Sequence, residues 1–192
     1  MARTLSAALA VWLALTSAET ACAEDWESDS SSGPLEFSAT QAGARFTGRF
    51  SRYQVALSFD AAAPARGRLL VTVATSSVDT QDTDRDGILK SPDFFWSERH
   101  AEAVYRAKGF ERDGAGWRAR GTLSLRGASQ PVLVHFIAAP GKDRLAMKGR
   151  AELRRLAFGV GQGDWASTEW IGDEVAIDFD LKLKPAKTGT SP

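Results

Sequence analysis

The sequence predicts an all-β chain, an antiparallel arrangement of about eight or nine short strands stacked or closed on itself. Two observations lead there. Apolar residues recur with period two along much of the chain, and glycine- and aspartate-rich turns cut the alternation at hairpin spacing. The clearest strand alternates Val175, Ile177, Phe179, Leu181 and Leu183 with Ala176, Asp178, Asp180, Lys182 and Lys184. One of its faces is apolar and the other is wet.

Taken in order, the chain opens on an export signal, residues 1–23. Arg3 gives the positive start, Leu5–Leu15 is an apolar stretch too short to span a bilayer, and Ala21-Cys22-Ala23 supplies small residues for cleavage after Ala23. Cys22, the only cysteine, has Glu19 where a lipidation site wants an aliphatic residue. The mature chain is therefore expected to lack a cysteine, and with it any disulfide. Residues 24–33 are acidic and serine-rich and read as a flexible lead-in. Phe46, Gly48 and Phe50 alternate next, then Leu69, Val71 and Val73, and later Val132, Val134 and Phe136. Turns are expected at Asp113–Gly116, Arg126–Ser129, Pro140–Asp143 and Ile171–Asp173. One helix is expected, with Ser91 as N-cap, Pro92 at its first position and its end near His100; it would carry Phe94, Phe95 and Trp96. Residues 186–192 read as a polar, flexible tail, leaving 34–185 as one folded domain.

Composition narrows the function. Formal charge is zero and no basic stripe is present, which disfavours nucleic acid. No second apolar span follows the signal, so the mature chain is expected to have no transmembrane segment. The two histidines, His100 and His135, stand in no catalytic motif, and no nucleophile elbow or zinc signature occurs. The expectation is a protein that is not an enzyme and has no cofactor.

The ordered set of signposts is more specific than any one of them. Gly43, Phe46, Gly48 and Phe50 precede Ser76–Thr80, Arg85-Asp86-Gly87, Leu89-Lys90-Ser91 and Asp93-Phe94-Phe95. Gly121–Gly127 follows, then Arg155, Phe158-Gly159-Val160-Gly161 and Trp165. In order and spacing this set resembles the YceI-like family of secreted lipid-binding proteins. The resemblance implies a single lipocalin-like antiparallel β-barrel of about eight strands, with one short helix near its mouth. It implies a periplasmic location and a long-chain isoprenoid lipid, a polyisoprenoid or an isoprenoid quinone, with another fatty chain as the alternative ligand. It also suggests a membrane b-type cytochrome or quinone enzyme as partner and leaves monomer or homodimer open. The sequence departs from the family where Ile88, Trp96, Ala101 and Ala157 stand.

The candidate ligand-binding residues are Phe46, Phe50, Val71, Val73, Phe94, Phe95, Leu123, Leu125, Phe136, Arg155, Phe158, Trp165, Ile177 and Phe179. All but Arg155 would bury hydrocarbon, and Arg155 is a candidate polar contact. Two other readings remain. One is a ligand-free structural barrel with a filled core. The other is a calcium-tuned interaction module, because Asp82, Asp84, Asp86 and Asp93 fall at EF-hand positions one, three, five and twelve around Gly87.

Overall fold

Alternation and turn chemistry are realised as an antiparallel β-barrel in the computed structural model, which describes residues 24–187. The strands are β1 (Glu24–Glu27), β2 (Leu35–Gln41), β3 (Ala44–Phe50), β4 (Tyr53–Phe59), β5 (Arg68–Ala74) and β6 (Val78–Asp79). After helix α1 (Thr83–Lys90) come β7 (Glu102–Asp113), β8 (Gly116–Leu125), β9 (Ala128–Pro140), β10 (Leu145–Arg154) and β11 (Glu174–Pro185).

These segments form eight staves, because the first three staves are each broken in two. β1 and β2 both run antiparallel to β11, at its two ends. β3 and β4 pair with β2 and β1 respectively, and β6 and β5 pair with β3 and β4. The remaining staves follow as β5–β7–β8–β9–β10–β11. The ring closes through β1 and β11, and among the described strands only the two-residue β6 keeps an unpaired edge. The β8–β9 hairpin has the two-residue turn Arg126-Gly127, both at positive φ (51° and 80°), which suits the right-handed strand twist.

Three sequence expectations are corrected. Residues 24–33 are not a loose lead-in. Trp26 on β1 is only 4% exposed, and β1 closes the ring between β4 and β11. The polar run beyond it is tied down through its side chains. Ser28 Oγ accepts from Val55 N at 2.8 Å, Ser32 Oγ accepts from Asp29 N at 2.7 Å, and Asp29 pairs with Arg144 at 3.0 Å. A four-residue strand with one inward aromatic has too short a period to register in sequence. The export signal, residues 1–23, lies outside the described residues, as does the tail from 188 onward.

The helix is displaced toward the N-terminus. Asp82 is its N-cap, accepting from Arg85 N at 3.0 Å, with Asp84 and Asp86 in the first turn and Lys90 in the last. Ser91 closes the helix and does not open it, and Pro92 follows as a stop. Serine followed by proline serves either end of a helix, and the acidic run upstream decides which. Residues 92–99 then fold back in turns, with Phe95 N donating to Leu89 O at 3.0 Å and Trp96 N to Ser91 O at 2.8 Å.

The third correction concerns the EF-hand reading. Helix replaces the loop, so its aspartates do not converge. Asp82 caps, and Asp86 Oδ1 accepts from Thr80 N and Oγ1 at 2.8 and 2.7 Å. Among the described residues no group of three or more His, Cys, Asp or Glu side chains is placed to hold a metal ion.

The interior is packed at one end and hollow at the other. Trp26, Phe59, Phe110, Trp117 and Phe136 fill the packed end together with the fully buried Leu57, Leu145 and Leu183. Replacing Trp26 with alanine is expected to cost about 3–5 kcal/mol of unfolding free energy in urea denaturation. A loss below about 1 kcal/mol would mean that β1 does not close the barrel.

Candidate functional site

The hollow end holds a cavity of about 440 Å³. Its wall comes from the same strand faces that pack the other end, one turn of alternation further along. On β11, Val175, Ile177 and Phe179 face the cavity, while Leu181 and Leu183 lie in the packed core. On β8, Leu123 and Leu125 face the cavity and Trp117 and Ala119 do not. Val71 and Val73 of β5 and Phe46 and Phe50 of β3 complete the expected wall residues.

Space exists at the centre because aromatic rings lie back against the wall over glycines. A Cβ on Gly48 would stand 2.5 Å from Phe37 Cζ, its cross-strand neighbour, and one on Gly149 would stand 2.5 Å from Phe179 Cζ. Tyr105 covers Gly121 in the same way. A ring laid over a strand glycine fills the gap left by the missing side chain and keeps the axis clear.

Phe94, Phe95 and Trp165 form a cap at the cavity end. Phe94 meets Trp165 at 5.6 Å between ring centres, and Phe95 meets Phe50 at 5.9 Å. The cap is knitted by backbone groups. Asp93 O accepts from Gly161 N and Gln162 N at 2.8 and 2.9 Å, and Arg126 donates to Pro92 O at 2.6 Å.

Arg155 lines the cavity but is 3% exposed, and its guanidinium serves the chain itself. Nε donates to Gly172 O, Nη1 to Val160 and Gly161 O, and Nη2 to Ser167 and Ile171 O, at 2.8–3.5 Å. All five N–H groups therefore have acceptors inside the loop between β10 and β11. Burial lowers its pKa from the ordinary arginine value and the nearby Asp173 opposes that shift. Arg155 is a loop clamp with no donor left for a ligand.

Two hydroxyls of the cavity wall are also satisfied. Tyr105 Oη donates to Ala119 O at 3.0 Å, and burial pushes its phenol above the ordinary range. Thr75 Oγ1 donates to His100 O at 2.8 Å. Polar groups with room to act lie at the mouth, where Gln41, Asp82, Asp84 and Arg85 join the 39%-exposed Ile88. Arg85 bonds Asp82 at 3.0 Å and sits 5.0 Å from the Phe46 ring centre.

Two expected residues lie elsewhere. Phe136 belongs to the packed end, edge-on to Phe110 at 5.2 Å. Phe158 is buried in the short 3₁₀ turn after β10 and does not reach the cavity. Alternation says that Phe136 points inward but not how far along the axis the hollow extends. The site list from sequence missed Leu35, Phe37, Ala39 and Gln41 of β2, whose own period-two pattern was the available signal, and Tyr105, whose signal was weak. His100 packs on Trp96, and His135 pairs with Asp113 at 2.5 Å on the outer surface; neither lines the cavity.

Two substitutions test this geometry. Arg155→Met leaves the loop carbonyls without their donor, and a loss of about 3 kcal/mol or more is expected on denaturation, with hydrogen-exchange protection falling over residues 155–173. Unchanged protection there would contradict the clamp. Gly48→Ala pushes Phe37 toward the axis, so stability should drop by about 1–3 kcal/mol and uptake of an apolar fluorophore should fall. Gly87→Ala, whose Cβ would meet nothing within 4 Å, is the control that should leave uptake unchanged. Equal uptake in all three proteins would show that the ring does not border the working cavity.

Residues 26–183 match the YceI-like domain. A UPF0312 protein of Azotobacter vinelandii is 31% identical over 165 residues, covering 80% of this chain and 85% of that one. Among solved structures, Burkholderia cenocepacia BcnA aligns with a TM-score of 0.75 at 24% identity, covering 78% of this chain and 95% of its own. A polyisoprenoid binding domain from Saccharophagus degradans, implicated in plant cell wall breakdown, aligns with a TM-score of 0.63 at 14% identity, covering 85% and 99%. These structures share the barrel fold.

Proposed function

This chain belongs to the YceI-like family, and from that premise we propose that it binds a long-chain isoprenoid lipid, a polyisoprenoid or isoprenoid quinone, and stores or carries it in the periplasm. The observation that carries the reading is the cavity itself, walled by aliphatic and aromatic side chains whose few interior polar groups are already bonded to the protein. Such a cavity offers hydrocarbon a dry site and offers a polar ligand almost nothing in its depth. The polyisoprenoid binding domain that shares this fold supports the choice of ligand.

The mechanism is sequestration. Each methylene moved from water into the cavity contributes roughly 0.8 kcal/mol. The Phe94–Phe95–Trp165 cap shields the chain on one side of the mouth. Export rests on the apolar Leu5–Leu15 segment and the Ala21-Cys22-Ala23 site, and no helix among the described residues is long and apolar enough to cross a membrane. The role is binding and not catalysis, and a membrane cytochrome or quinone enzyme is the proposed recipient of the lipid.

Mass spectrometry of the organic extract from protein purified gently from its native host tests the reading. A prenyl lipid or quinone near one per chain is expected, with occupancy sharply reduced in a folded Phe94→Ala/Phe95→Ala double variant. A folded wild-type protein whose extract holds no lipid would overturn the proposal.

A further inference from the structure

The lipid-binding reading leaves open where the protein meets a cargo that does not dissolve in water. Among the described residues three large hydrophobic side chains are exposed, Trp170 at 65%, Ile137 at 54% and Ile88 at 39%. Ile137 stands apart on β9, opposite Lys148 and next to Phe136 of the packed end. The other two flank the mouth of the cavity. Resting on the lipid-binding reading, we propose that the rim carried by Trp170, Ile88 and the β2–β3 turn docks on a zwitterionic lipid bilayer, so that the cavity opens onto the membrane.

Backbone and ring contacts gather these pieces around one turn. Ala42 and Gly43 join β2 to β3 at positive φ (50° and 78°), and both are exposed together with Ala44. On one side of the turn Ala42 N donates to Trp170 O at 2.7 Å and Gln41 bridges to Ile171, which holds Trp170 beside it. On the other side Arg85 of α1 lies over the ring of Phe46, two residues beyond Ala44 on β3. Ile88 follows Arg85 by three positions and so shares its helix face. Gln41, Arg85, Ile88 and Ile171 all line the cavity, so the exposed side chains and the opening belong to the same end of the barrel.

An indole left in water gives the fold little burial, but at the level of lipid headgroups its ring is shielded while its N–H stays wet. The Ala42-Gly43-Ala44 tip brings no charge that would have to be desolvated on contact. Charge around these side chains selects the kind of surface. Helix α1 and its cap carry Asp82, Asp84 and Asp86 against Arg85 and Lys90. Residues 156–173 carry Asp164, Glu169 and Asp173 and no lysine or arginine, and Arg45 is the cation beside the turn. The acidic excess repels an anionic leaflet and suits the ammonium groups of zwitterionic headgroups. On such a surface the cargo passes between bilayer and cavity without its apolar tail crossing water.

Flotation of the purified protein with phosphatidylcholine vesicles tests the docking. Wild type is expected to bind, with its tryptophan emission shifted to the blue and quenched by brominated lipid. Trp170→Ser should weaken binding at least about fivefold and Ile88→Ser at least about threefold, while Ile137→Ser should change it by less than about 1.5-fold. Replacing part of the phosphatidylcholine with phosphatidylglycerol should not strengthen binding. Trp170 does not line the cavity, so the Trp170→Ser protein should take up an apolar fluorophore from solution as wild type does. It should fill at least about threefold more slowly from vesicles loaded with a fluorescent prenol. Wild-type protein that takes up the fluorophore but stays off the vesicles would overturn the docking. Equal binding by the Trp170→Ser and Ile137→Ser proteins, or binding that grows with phosphatidylglycerol content, would overturn it too. Failure of wild type to take up any apolar probe would instead overturn the lipid-binding reading on which the docking rests.

Discussion

An eight-stranded barrel has a lumen that its own side chains ordinarily fill, and the cavity of this protein depends on how its aromatic rings escape that rule. Phe37, Tyr105 and Phe179 all point inward, yet each lies over a glycine of a neighbouring strand, where no side chain competes for the space. Large apolar area is thereby spread over the wall without crossing the axis. At the packed end Phe110 covers Gly67 in the same way, but Phe59 and Trp117 lie over no glycine. Phe59 meets both Trp117 and Phe136 edge-on, and the three close the lumen.

The second constraint is at the open end, where irregular backbone has to be held without a sheet. A long connection between β10 and β11 carries several carbonyls with no strand partner. The Arg155 guanidinium gathers five of them, a use of its planar fork that a lysine could not reproduce. Asp93 and Arg126 tie the same region to the cap through backbone carbonyls. The cap therefore rests on hydrogen bonds, while its inner surface of Phe94 and Trp165 stays apolar. Polar support outside and hydrocarbon inside give the cavity a firm lip with a dry interior.

The breaks in the first three staves let one short helix take part in this end. β5 and β6 are separated by a 3₁₀ turn, and α1 follows at once, capped by Asp82 and placing Leu89 inside and Ile88 at the mouth. The residues that a calcium reading would gather around an ion are used singly. One caps the helix, one holds Thr80, one stands at the mouth, and the fourth, Asp93, accepts at its backbone carbonyl from Gly161 and Gln162. A spacing motif selects residues at fixed intervals, but the backbone conformation decides whether those intervals converge.

By itself the sequence determined the class of fold and the inward face of the long strands, because period-two alternation is a local property carried by neighbouring residues. It placed Phe46, Val71, Leu123 and Ile177 on the wall for that reason, and its turn at Arg126-Gly127 is where the β8–β9 hairpin reverses. Tertiary structure alone decided what depends on position along the barrel axis or on distant partners. Phe136 faces inward like the others but falls at the packed height. Trp26, isolated in a polar run, finds its pocket only when β4 and β11 are brought to either side of it. Arg155 has its role set by carbonyls more than ten residues away in the chain. Alternation has no coordinate along the axis and no knowledge of remote acceptors, so the hollow, its floor and its clamp arise only on closure of the ring.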